Sequence, residues 1–191
     1  MDMLVSQAQA DMRDAYCSGA AGMLASAVAW GAAAVTAVML SPAKAIVVLL
    51  ATGMLIHPAA ILLCRMMGAR GVHRDGNPLG QLAGASTFWL VFSLFLAWGI
   101  SLQRPDWFFP AMLLIIGGRY LVLSTVFGLR LYWALGLALA VAGFGLGWLG
   151  MSPLAGATAG AAIEAVFAVA CLAAHRRTQA ARELPAAALK R

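Results

Sequence analysis

Apolar residues run through this chain in long uninterrupted blocks, and most of its charges fall at the ends of those blocks. No charge occurs between Asp14 and Lys44. Ser41-Pro42 breaks that stretch, which places one apolar segment at about 18–40 and a second at about 43–64, closed by Arg65. Residues 65–80 form the one long polar interval, with Arg65, Arg70, Arg74 and the turn sequence Asp75-Gly76-Asn77-Pro78. Three shorter breaks follow, at Gln103-Arg104-Pro105-Asp106, at Gly128-Leu129-Arg130 and at Gly150-Met151-Ser152-Pro153. They leave apolar segments at about 81–102, 107–127, 131–149 and 153–174, and a polar, basic tail at 175–191. A membrane-spanning helix needs about 20 mostly apolar residues. The pattern therefore predicts a single all-α transmembrane domain, a polytopic bundle of about six spanning helices. Arg119 interrupts the fourth segment. Without it, residues 107–118 are too short to span, and a re-entrant hairpin is the alternative there.

Composition agrees. The chain is 63% hydrophobic and 10% charged, against roughly 45–50% and about 25% in soluble domains. A soluble fold of this length cannot hide so much apolar surface. The net charge of +6 would raise the question of nucleic acid in a soluble protein. Here the basic residues flank apolar runs, so they read as topology signals and lipid-headgroup contacts, with no nucleic-acid partner. With six spans, ten of the thirteen Lys and Arg fall on the side of the N-terminus, the 65–80 loop and the tail; Lys44 and Arg104 fall on the other. The excess of Lys and Arg marks the cytoplasmic side, which predicts both termini in the cytoplasm. Residues 1–10 contain no Lys or Arg and the first apolar run is too long for a signal peptide, so the first span is expected to stay attached. Cys17, Cys64 and Cys171 lie near the cytoplasmic ends of their spans and read as buried, reduced thiols. A metal set of those three with His175 has no local ligand pair to support it.

Three ionisable residues lie well inside spans: His57, Arg119 and Glu164. Their spans run in the same direction, and at 1.5 Å per residue they sit roughly 21, 18 and 17 Å from the outer ends. A charge at the centre of a membrane helix costs on the order of 2.5–3.5 kcal/mol. A mutual Arg119–Glu164 ion pair is therefore the expected arrangement, with His57 in the same layer and Tyr120, Ser124 and Thr125 adding hydroxyls. Gly156, Gly160, Glu164 and Ala168 share one helix face, a small-residue stripe that should pack on a neighbouring helix. His57 precedes Pro58, which removes the hydrogen bond to the Met54 carbonyl and favours a kink. The aromatic residues Trp107, Phe108, Phe109, Tyr132 and Trp133 at span ends read as an interfacial belt. His57, Arg119, Glu164 and Tyr120 are the candidate ligand- or ion-binding residues. Equally, buried ion pairs can serve only to specify helix arrangement.

The chain contains no zinc-protease H-E-x-x-H, P-loop, dinucleotide fingerprint or nucleophile elbow. No two carboxylates share a span for acid–base work, and nothing calls for a cofactor or metal. Three readings remain: a small-solute or ion transporter with an intramembrane polar site, a structural or accessory membrane subunit, and a small intramembrane enzyme using His57 with Glu164. The partners implied are the lipid bilayer, a small solute or ion, and a second copy or another membrane protein.

Phe108-Phe109-Pro110-Ala111 and Gly117-Gly118-Arg119-Tyr120-Leu121, with Asn77-Pro78-Leu79, Gly128-Leu129-Arg130 and Tyr132-Trp133, resemble an uncharacterised family of small bacterial six-span membrane proteins. The resemblance covers about Arg13 to Gly145. It implies a multi-pass protein of the bacterial cytoplasmic membrane and draws attention to Arg119 and Tyr120, without implying an activity.

Overall fold

The computed structural model describes residues 3–188, with side chains described as far as Ala181. Lys190 and Arg191 of the basic tail, and the side chain of Arg182, lie outside the described residues. Among those described there are seven α-helices and no strand. A short helix α1 (Val5–Ala15) leads through a 3-10 turn (Cys17–Gly19) into α2 (Ala20–Met39). Then come α3 (Pro42–Met66), α4 (Pro78–Gln103), a second 3-10 turn (Pro105–Trp107), α5 (Phe108–Phe127), α6 (Leu131–Trp148) and α7 (Pro153–Ala188). Six of these helices are long and apolar enough to cross a membrane. The fourth spanning segment is a continuous helix and not a hairpin; α3 likewise runs unbroken through Pro58.

The breaks act through local chemistry. Ser41 caps α3 by accepting from the Lys44 amide, and Pro42 occupies the first turn. Asn77 caps α4 through the Leu79 amide at 3.0 Å, again followed by proline. Gly128 ends α5 in the left-handed region at φ 64°. At 36 residues, α7 is roughly 54 Å long. It outruns the roughly 30 Å hydrocarbon core and carries Arg176 and Arg177 beyond it.

The six spans are arranged as an open arc. In order around it stand α3, α2, α7, α6, α5 and α4, each packed on its neighbours. The two ends of the arc, α3 and α4, scarcely touch. Glycine decides where the arc is tight. A Cβ on Gly117 would lie 2.7 Å from the carbonyl oxygen of Gly136, and one on Gly136 the same distance from that of Gly117, so α5 and α6 meet backbone to backbone. The stripe on α7 packs as its spacing predicts: Gly156 lies against Phe109 of α5 and Gly160 against Trp30 of α2.

The aromatic belt is corrected in part. Phe108 and Phe109 are fully buried and Tyr132 almost so. Phe109 packs on Trp30 with ring centroids 6.1 Å apart, and Tyr132 stacks on Phe127 at 5.1 Å. These rings stand at helix ends in the sequence, but the rotation of α5 and α6 turns them into the bundle. Trp133, the next residue, is exposed and keeps the orientation expected of a belt residue.

Overfilling a tight helix contact costs about 1–3 kcal/mol or more. Gly160→Leu is therefore expected to lower the unfolding midpoint in detergent by several degrees, because a Cβ there already meets the Trp30 ring at 2.5 Å. Gly31→Leu, on α2 with nothing within 4 Å of the added atom, should change it little. Equal tolerance in a thermal-melt assay would refute the α2–α7 contact.

Candidate functional site

The gap between α3 and α4 opens into a cavity of about 540 Å³. That lies inside the range of about 300–1,000 Å³ usual for ligand pockets. Its wall is drawn from one half of the bundle only: the N-terminal halves of α2 and α4, and the C-terminal halves of α3 and α5. These are the halves nearest Arg13, Arg65, Arg70, Arg74 and Arg130. Small residues make the room, since Gly22 on α2 and Gly84 on α4 line the cavity and have nothing within 4 Å of an added Cβ. Ser26 lines its inner end. One helical turn farther, roughly 6 Å along α2, Trp30 is fully buried against Phe109 and does not line the cavity.

The structure brings three of the four candidate residues to this wall. His57 projects from α3 and is exposed; Arg119 and Tyr120 project from α5. Arg119 donates from Nη2 to the Thr87 hydroxyl on α4 at 3.0 Å, while its Nε is buried with no partner. Thr87 was not a candidate; one hydroxyl among several in an apolar helix carries no signal of its own. Glu164 does not line the cavity. It is fully buried on α7, and neither carboxylate oxygen has a hydrogen-bond partner among the described residues. The hydroxyls of Ser26 and Tyr120 are near it without bonding geometry, and Arg119 acts on it only at longer range.

The expected Arg119–Glu164 ion pair is thus not formed. Helix α5 turns Arg119 toward Thr87 of α4, whereas Glu164 lies on the α7 face that packs on α2. Buried polar groups are nearly always hydrogen-bonded, and the Ser26 and Tyr120 hydroxyls are the groups placed to serve this carboxyl. Among the described residues, no three His, Cys, Asp or Glu gather as metal ligands. Cys17 and Cys64 are buried together, Cys171 is buried elsewhere, and all three are free thiols.

Helix α1 and the 67–77 loop bridge the ends of the arc at the basic side, and Met12, Tyr16 and His73 help line the cavity there. Asp11 holds this bridge. Its carboxylate accepts from Arg70 at 2.5 Å, from the Arg74 amide at 2.9 Å and from the Asn77 side chain at 2.9 Å. The Asn77 amide also reaches the Ala8 carbonyl, and the Gly71 amide the Ala15 carbonyl at 2.9 Å. Tyr16 and His73 share a further hydrogen bond of 2.9 Å. Arg13 and Gln9 fasten α1 to the end of α5 by donating to the Phe127 and Thr125 carbonyls. Burial raises the pKa of Asp11, but the hydrogen bonds from Arg70, Arg74 and Asn77 outweigh it and hold the carboxyl at about 2, against an ordinary 3.8.

A model for a family of unknown function, DUF7010, matches residues 5–174. The chain belongs to that family, and the match takes in α1 as well as the six spanning helices. No curated protein and no solved structure matches it. Membership brings no activity with it, so the latch energetics offer a direct check on the geometry. Because the folded state depresses the Asp11 pKa, the latch contributes fully above pH 3.8 and is lost as pH falls toward 2. Asp11→Asn should lower stability at neutral pH by on the order of 1–2 kcal/mol and flatten the loss of stability between pH 4 and 2. A mutant whose acid limb overlays the wild-type curve would show that Asp11 is not the group responsible.

Proposed function

We propose that this member of the family is a small-solute carrier of the bacterial inner membrane, with both termini in the cytoplasm and the α3–α4 cavity as its binding site. The observation that carries the reading is a cavity that runs from the basic end of the bundle to Arg119, about halfway along α5. A polar-lined cavity confined to one half of the bundle is what a carrier needs in one of its two states. The orientation rests on the ten-to-two distribution of Lys and Arg. His57, Thr87, Arg119 and Tyr120 provide polar contacts for a solute, with Tyr16, Ser26 and His73 elsewhere on the wall. Glu164, behind Ser26 and Tyr120, provides a carboxyl that can take up or release a proton without leaving the bundle.

A second reading has its own support. The α4 face carries Phe88, Trp89, Phe92, Phe95 and Trp98, all at least half exposed, and α3 is the least buried of the six spans. An accessory subunit could lay these faces against another membrane protein or a second copy. An intramembrane enzyme loses the arrangement it was argued from, because His57 lines the cavity and Glu164 does not.

Water access separates the first two readings. In a chain with its three cysteines replaced by alanine, Gly84→Cys should react with a membrane-impermeant maleimide applied from the cytoplasmic side. Ala33→Cys, fully buried farther along α2 and away from the cavity, should not. A Gly84→Cys protein inert from both sides would mean a dry gap and would replace the carrier by the accessory subunit. Labelling only from the outer side would reverse the orientation.

A further inference from the structure

The cavity wall and the opening beside it have different chemistry, and together they restrict the ligand. Among the described lining residues there is one guanidinium, Arg119, and no carboxylate. Arg119 spends an Nη2 proton on Thr87 and keeps a buried Nε without a partner. An anionic oxygen pair would satisfy the guanidinium, since Nε and an Nη form a fork matched to a carboxylate or phosphate. Glu164 does not line the cavity and makes no ion pair with Arg119. His57, His73 and hydroxyls such as those of Ser26 and Tyr120 also line the cavity, but the wall on either side of the α3–α4 gap is largely apolar: Ile56 and Ala60 on α3, Ala83, Phe88 and Leu90 on α4. Phe88 both lines the cavity and is 68% exposed, so this wall runs out to the surface that faces hydrocarbon.

A free inorganic anion would satisfy Arg119 and leave that apolar wall uncovered. A plain hydrocarbon would cover the wall and leave a buried donor orphaned. A molecule with an anionic head and an alkyl tail meets both demands, provided the tail has a way out. The α3–α4 gap is that way. The two helices are joined by a polar loop at one end and scarcely touch along their length, so a tail can lie between them in the bilayer while the head occupies the cavity.

We propose that the cavity binds an anionic membrane amphiphile, its phosphate or carboxylate head on Arg119 beside Thr87 and its alkyl chain leaving through the gap between α3 and α4. This rests on the carrier reading of the cavity and names its substrate class.

The test uses the full chain in a neutral maltoside detergent, with dodecyl phosphate, dodecanoate, dodecanol and inorganic phosphate as probes and thermal unfolding as the readout. Dodecyl phosphate or dodecanoate should raise the unfolding midpoint, and which does so more strongly distinguishes a phosphate from a carboxylate head. Dodecanol and inorganic phosphate should each have much less effect. Arg119→Gln should weaken binding of the acidic probe by about tenfold or more, the effect of losing a charged hydrogen bond, and leave the weak dodecanol response unchanged. Gly84→Leu, which meets open space, should keep the unliganded midpoint and lose the response, and it decides the matter should Arg119→Gln fail to fold. Dodecanol as protective as dodecyl phosphate would overturn the role of the anionic head. Inorganic phosphate as protective as dodecyl phosphate would overturn the amphiphile and leave the carrier standing. No response to any probe also overturns the amphiphile. In that case Gly84→Cys labelling by maleimide decides whether the carrier falls with it.

Discussion

Everything in this fold follows from where helices can approach each other closely. In a bilayer the hydrocarbon around a helix is as apolar as another helix, so association depends on packing and not on escape from water. One such contact is reciprocal, between Gly117 and Gly136, where each backbone fills the place of the other's missing side chain. Gly143 against the Pro110 carbonyl extends that seam, and Gly156 and Gly160 make the corresponding seams from α7 to Phe109 and Trp30. These contacts tie α2, α5, α6 and α7 into one unit. The remaining spans are attached by one side each, α3 to α2 and α4 to α5. The cavity is the space those attachments leave, and Gly22 and Gly84 keep it empty.

The polar groups are placed around that opening. Arg119 is the one Lys or Arg near the middle of a span, and it points to the side where the arc is open. There a hydroxyl of α4 meets it, and its cost on the order of 2.5–3.5 kcal/mol in apolar surroundings is offset in part. Glu164 takes the opposite position, on the small-residue face of α7 that Gly156 and Gly160 bring against α5 and α2. The entry to α2 is built as tightly. Cys17, Ser18 and Gly19 all have positive φ, a run that L-residues rarely adopt. The buried Tyr132 hydroxyl donates to the Ser18 carbonyl at 2.9 Å, and any side chain at Gly19 would overlap that hydroxyl.

Depth was legible in this sequence and rotation was not. Charges and turn residues bracket each span, and a fixed rise per residue then places His57, Arg119 and Glu164 at similar heights. Which way each residue faces must be read from amphipathicity, and helices apolar on every side show almost none. Hence Arg119 was expected against Glu164 but reaches Thr87, and Phe108, Phe109 and Tyr132 were assigned to headgroups they do not meet. The small-residue stripe of α7 escaped this ambiguity because glycine spacing marks a packing face directly. The Asp11 latch was illegible for a different reason. Its partners lie roughly sixty residues away, and in sequence Asp11 is one more polar residue before the first span. The closest local signal was Asn77-Pro78, which marks a helix cap and so an ordered loop.

The same distribution of contacts says which part of the molecule can move. Separating α5 from α6 would break a seam in which backbone touches backbone, with no side chains to adjust. Moving α3 relative to α4 breaks few contacts between spanning helices. What joins them at the basic end is a short set of hydrogen bonds through α1 and the loop: Asp11 with Arg70 and Asn77, Ala15 with Gly71, and Tyr16 with His73. Arg70 is about half exposed in that set, where water competes for its bonds and a solvent-facing ion pair contributes about 1 kcal/mol or less. Regions with few buried contacts and solvent-exposed hydrogen bonds open at the lowest free energy. The gap between α3 and α4 is therefore also the joint that costs least to widen, while the Trp30–Phe109 contact belongs to the four-helix unit that resists deformation.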